Sequence, residues 1–122
     1  MIVTTSPIRI ANCSGFFGDR PSAAQEMVEQ GPIDVLTGDW LAELTMLILS
    51  RIRNKNPGGG YARTFVTQME QVMGTCLDKG IKVVSNAGGL NPRGCAEAIN
   101  DIADKLGLNP SIAYIDGDDL ME

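Results

Sequence analysis

The sequence predicts an α/β protein: a Rossmann-like three-layer α/β/α sandwich on a mainly parallel four-stranded sheet, with elements in the order βαβααβαβ. Three observations carry this. Short β-branched apolar runs alternate with longer stretches whose apolar residues recur at helical spacing. Strands that alternate with helices imply right-handed crossovers and helices on both sheet faces. Finally, 122 residues, 43% apolar and 20% charged, suit one soluble core.

The elements follow in order. Pro7 to Ala11 reads as the first strand, and the loop Asn12 to Arg20 follows it. Pro21 opens a helix with interior Ala23, Ala24, Met27 and Val28, capped by Asp19 or Ser22 and stopped by Gly31-Pro32. Ile33 to Thr37 is the second strand, ending at Gly38-Asp39. Trp40 to Arg53 is a second helix, apolar on nearly every side as far as Leu49, so cover on more than one face is expected. Arg51, Arg53 and Lys55 gather at its end, where cations suit the helix dipole.

Asn56 to Gly60 contains three consecutive glycines and reads as a flexible hinge. A third helix runs from about Tyr61 to Lys79, with Phe65, Met69, Val72, Met73 and Cys76 as its core stripe and Gly80 as its cap. Ile81 to Val84 is the third strand. Asn91 as N-cap and Pro92 at the first position start a fourth helix. Its stripe is Ala96, Ile99, Ile102, Ala103 and Leu106, and Gly107 ends it. Ile112 to Ile115 is the fourth strand. No linker, internal repeat or low-complexity tract divides the chain, so residues 1–122 read as one domain.

Composition excludes several classes. Net charge is −5 with no basic stripe, which argues against a nucleic-acid partner. No apolar run approaches the roughly 20 residues of a membrane span. Met1 to Pro7 lacks the basic and long apolar regions of a signal peptide. Cys13, Cys76 and Cys95 are odd in number and far apart, which suits reduced thiols in the cytoplasm. There is no histidine, so Ser-His-Asp and Cys-His catalysis, an imidazole base and nearly every zinc site are ruled out. Chemistry falls to carboxylates, Lys, Tyr, Cys, backbone amides, a bound cofactor or another chain.

All four strand ends carry polar or glycine-rich loops, and a parallel sheet gathers those ends on one edge, where ligands bind in open α/β folds. In the first loop Gly15 and Gly18, with Ser14 and Arg20 beside them, suit a cradle of backbone amides for a phosphate or carboxylate. Plain turn geometry explains the two glycines equally well. The spacing is neither G-x-G-x-x-G nor a Walker A loop, which argues against a redox nucleotide binder. Cys13 lies before a helix, but without a histidine partner a buried inert thiol is the simpler account.

Asp39 and Glu43 lie one helical turn apart. They suit an acid–base pair or a cation, or else a cap and its companion. Asn86, Gly88, Gly89 and Asn91 form the strongest candidate for holding an anion or hydroxyl, with Arg93 within reach in the next turn. Asp116, Asp118 and Asp119 carry oxygen donors suited to a divalent cation such as Mg²⁺ or Ca²⁺, although an acidic solvated loop is the simpler account.

Five segments in succession then carry a resemblance. They are Ser14-Gly-Phe-Phe-Gly-Asp19, Gly31-Pro-Ile-Asp-Val-Leu-Thr-Gly-Asp-Trp-Leu-Ala-Glu-Leu-Thr45, Gly60-Tyr-Ala-Arg-Thr-Phe65, Ser85-Asn-Ala-Gly-Gly-Leu-Asn-Pro92 and Asp116-Gly-Asp-Asp-Leu120. Together they resemble the N-terminal part of the AtuA-type acyclic terpene utilisation family, whose members are several times longer. The resemblance implies a role in catabolism of acyclic terpenes such as citronellol and geraniol, alongside acyl-CoA degradation enzymes, with no assigned reaction. It marks Ser14, Gly15, Gly18, Asp19, Gly38, Asp39, Glu43, Asn86, Gly88, Gly89, Asn91, Asp118 and Asp119 as site residues.

The leading expectation is an enzyme domain that binds a small anionic or acyl-CoA molecule. In it Asp39, Glu43 and Asp19 are the candidate catalytic carboxylates, and the glycine loops, Arg20 and the asparagines hold the ligand. The alternative is a non-catalytic scaffold or binding subunit, or an inactive fragment of a longer domain. Open sheet edges and an uncovered second helix would make the chain a homo-oligomer or the partner of another subunit.

Overall fold

The computed structural model describes residues 5–121. Met1 to Thr4, part of the stretch read for a signal peptide, lies outside them. The order is β1 (Ile10–Asn12), α1 (Ala23–Gln30), β2 (Val35–Gly38), α2 (Glu43–Lys55), α3 (Arg63–Lys79), β3 (Lys82–Ser85) and α4 (Pro92–Leu106). The three strands form one parallel sheet in the order β1-β2-β3.

Ile10 pairs with Val35, which pairs with Lys82; Ala11 pairs with Leu36, which pairs with Val83. Side chains alternate across a strand, so this register sorts them into two faces. Leu36 is fully buried, and Ala11 and Val83 pack against the core. Ile10, Val35 and Lys82 take the other face with Asn12, Thr37 and Val84. There Ile10 is 65% and Val84 62% exposed.

One topological fact explains this asymmetry. When successive parallel strands are added in the same direction, right-handed crossovers put every connecting helix on the same side. Accordingly α1 packs on α3, and α3 packs on α4. The expected three-layer sandwich is therefore corrected to one layer of α1, α3 and α4 beside a sheet in sequential order, without the strand reversal of a Rossmann-like fold.

The expected fourth strand does not form either. Ile112 to Ile115 joins no ladder among the described residues, and Tyr114 and Ile115 are exposed. Its local propensity is sound, but a strand exists only where it has a neighbour, and the chain is fixed elsewhere on both sides of this segment. Leu108 N–H closes on Ala103 C=O (2.8 Å), and Asp119 is held by Arg53 (2.6 Å).

The helices follow their apolar stripes more closely. Phe65, Met69, Val72, Met73 and Cys76 of α3 are all buried, and Gly80 ends the helix in the left-handed conformation. Asn91 caps α4, its Oδ1 accepting from Gly94 N–H at 2.9 Å, and Pro92 holds the first turn. Ala96 and Ala103 of the α4 stripe are buried, whereas Leu106 is exposed. In α2 only Thr45 and Leu49 are buried, and Leu44 and Leu47 face solvent. The expectation of cover on several sides is thus corrected. Trp40 is fully buried, but ahead of the helix, against Phe65 with ring centroids 6.1 Å apart.

The expected hinge is also corrected. Gly59 and Gly60 are buried, and the segment is pinned across the fold. Asn91 Nδ2 donates to Gly59 C=O (3.0 Å), Leu90 N–H to Gly60 C=O (2.9 Å), and Ala62 N–H to Ala87 C=O (2.8 Å). The glycines serve close approach of two backbones rather than motion. A Cβ on Gly89 would stand 2.6 Å from Leu49 Cδ1 and 2.8 Å from Gly60 O, and Gly89 has φ +55°.

This contrast is measurable by urea unfolding. Gly107 has φ +68° with open space around it, so Gly107→Ala should cost about 1 kcal/mol from backbone strain alone. Gly89→Ala should cost roughly 3 kcal/mol or more, because a clash with backbone adds to the same strain. Equal losses would show that Gly89 is not a close-approach position.

Candidate functional site

The ends of the three strands are joined to one another before any ligand is considered. Cys13 N–H donates to Thr37 C=O (2.8 Å), and Asp39 N–H donates to Ser14 C=O (2.9 Å). Ser85 Oγ donates to Gly38 C=O (3.2 Å) and accepts from Ala87 N–H (3.1 Å). At the centre is Asn86. Its Oδ1 accepts from Trp40 N–H (2.8 Å), and its Nδ2 donates to Asp39 Oδ1 (2.8 Å). A side-chain amide can donate and accept at once, so one residue closes the gap between the ends of β2 and β3. Gly38 belongs to the same knot: a Cβ there would stand 2.7 Å from Trp40 Nε1.

The first loop does not present an empty cradle. Asp19 fills it from within. Gly15 N–H donates to Asp19 Oδ2 (2.9 Å) and Arg20 N–H to Asp19 Oδ1 (2.7 Å). The Gly15 amide, then that of Arg20, holds the Asp19 carboxyl below the usual carboxylate range. Ser14 is buried, and its hydroxyl donates to Phe16 C=O (3.0 Å). Gly18 supplies a left-handed turn, φ +98°. The Arg20 side chain pairs with Glu26 (2.9 Å). Both the anion cradle and the arginine clamp read from this loop are therefore engaged internally, and Asp19 serves as the loop's own anion.

The third loop is similar. A helix start can offer free N–H groups to an anion. Pro92 has no N–H, Gly94 N–H goes to Asn91 Oδ1 and Cys95 N–H to Asn91 C=O (3.1 Å), which leaves only Arg93 N–H of this turn without a partner among the described residues. Gly88 is tight against Pro92, where a Cβ would lie 2.8 Å from Pro92 Cα. Among the described residues the strand order does not reverse, so the sheet forms no crevice of the switch-point kind there.

Two groups remain open. Asp39 uses Oδ1 for Asn86 and Leu41 N–H (3.3 Å), while its second oxygen has no partner among the described residues. Glu43 lies exposed in the first turn of α2, behind Ala42 as N-cap, and its carboxylate also lacks a partner there. Neither residue caps that helix. A separate open hollow of about 400 Å³ is lined by Gly89 to Arg93 and Asp116 to Asp119, and neither Asp39 nor Glu43 lines it. It is within the size range of ligand pockets. Gly89, Asn91, Asp118 and Asp119 all line it. Asp119, however, is turned to Arg53, which lowers its pKa and also holds Leu90 C=O at 3.0 Å. No cluster of three metal-ligating side chains occurs among the described residues, Asp116 to Asp119 included.

Arg53 was read only as a cation at a helix end. Its wider role had one signal in the sequence, a cation a few residues before a glycine triplet through which a long side chain passes. Gly60 faces Arg53, with Cβ 3.2 Å from where its own Cβ would be. The three thiols are free and buried. Burial pushes all three upward, Cys95 to about 11, which keeps them protonated.

The first loop yields a pH prediction. Asp19 has a lowered folded pKa, so its contribution is present above the unfolded carboxylate pKa and is lost as pH falls through the folded value. The Gly15 and Arg20 amide resonances should therefore shift below about pH 4, and Asp19→Asn should remove that titration. Unchanged amide titration in the variant would disprove the assignment.

A family model described as acyclic terpene utilisation family protein AtuA matches residues 8–122, which contain every loop described above. No curated protein and no solved structure matches the chain. With the match spanning nearly the whole sequence, the chain belongs to the AtuA acyclic terpene utilisation family.

Proposed function

We propose that this domain binds a small anionic or acyl-CoA molecule of terpenoid catabolism at the C-terminal edge of its sheet, with Asp39 as the reactive or recognition carboxylate. Family membership supports the metabolic setting. The observation that carries the site is the Asn86 clip, which fixes Asp39 by one oxygen and leaves the other free. A carboxylate held in this way is positioned to take a proton or accept a donor from a ligand. Glu43 lies on the next element as a second carboxylate. The hollow lined by Gly89 to Arg93 supplies room for a polar ligand group.

A non-catalytic binding subunit is the second reading, favoured by the uncovered sheet face around Ile10 and Val84. The two are separated in a longer family member. Asp39→Asn keeps an oxygen for Asn86, removes the charge and turns the free acceptor oxygen into an NH2 donor. Turnover of terpenoid acyl-CoA pathway intermediates should fall by about a hundredfold or more if Asp39 moves a proton. Asn86→Ala, which leaves the carboxylate unheld, should lower it as well. Full turnover in both variants would sink the catalytic reading.

A further inference from the structure

Among the described residues no strand pairs with the outer edge of β3. Lys82 N–H donates to Asp34 C=O (3.1 Å), so Lys82 and Val84 direct their peptide groups at β2. By alternation, Val83 and Ser85 turn theirs outward, to a side where no strand is paired. The same chain also carries a strand without a sheet. Ile112 to Ile115 combines β-branched and aromatic residues, joins no ladder, and exposes Ile115 to 92%. Chain contacts at Leu108 and Asp119 hold both flanks of this segment, yet do not bring it onto β3.

We propose that the open edge of β3 pairs, in parallel, with the Ile112–Ile115 segment of a second copy of this chain. Each copy holds one lone strand and, at β3, an edge open to receive it; the other edge, β1, is the shorter at three residues. A two-fold exchange therefore satisfies both features on both copies, as an isologous interface requires. An added strand covers the outward groups of Val83 and Ser85, and it places apolar side chains beside Val84, which is exposed on the helix-free face. The occupant is a second copy because the missing half of the ladder is present in this sequence. This interface is separate from the ligand reading and stands or falls without it.

The test uses the full chain in light scattering after size exclusion, over a wide concentration range. A concentration-dependent dimer is expected. Ala113→Pro removes a donor from the exchanged strand, at a position with no ladder to lose within the chain, and should weaken the dimer at least about tenfold. Chains carrying Val84→Cys, mixed with chains carrying Tyr114→Cys, should form a disulfide between the two. This second measurement does not depend on how the proline variant folds. A monomer at all concentrations would overturn the proposal. So would a dimer indifferent to Ala113→Pro, or a cross-link that forms within one chain carrying both cysteines.

Discussion

The amide of Asn86 is the joint on which the strand-end edge depends. It sits one residue beyond β3, yet both its hydrogen bonds reach the segment after β2, 46 and 47 residues earlier. By holding Trp40 N–H it fixes where the chain leaves the sheet, and so places the Trp40 ring in the core beside Phe65. By holding Asp39 through one carboxylate oxygen it leaves the other without a partner among the described residues. A hydrogen bond to a charged group is worth about 1.5–3 kcal/mol when protected from water and less at a surface such as this. Its importance lies as much in direction as in energy. Aspartate could not replace Asn86 here, because a carboxylate cannot donate to Asp39.

The neighbouring loops show how a sequence rich in glycine can look more open than it is. Glycine permits a backbone to approach a ligand, and it equally permits a backbone to approach another backbone. Gly59, Gly60, Gly88 and Gly89 serve the second purpose, with Gly60 C=O bound by Leu90 N–H. Asp19 likewise occupies the amides that an anion would use. The chemistry left over is concentrated at Asp39 and Glu43, with the open hollow beside α4.

Much of this was legible in the residues. Helical stripes located α3 and α4, and Asn91-Pro92 marked a helix start, because caps and 3.6-residue periodicity are local properties. The strands were located within a few residues, but pairing set their limits, so β1 begins at Ile10 rather than Pro7. Ile112 to Ile115 has strand composition, and only its lack of a neighbour prevents a strand. Which face of the sheet stays bare follows from strand order, which no local pattern encodes. At the site, the residue types and their common edge were readable, and Asp39 and Asn86 meet there. Whether Asp19, Arg20 and Asn91 point at a ligand or at their own loops depends on side-chain partners that spacing does not specify.

A double-mutant cycle in urea unfolding addresses the clip directly, with Asp39→Ala, Asn86→Ala and the pair. If Asn86 and Asp39 are joined as described, the two single losses should exceed the double loss, with a coupling of about 1 kcal/mol. Additive losses, within about 0.3 kcal/mol, would contradict the clip and leave Asp39 without a fixed position.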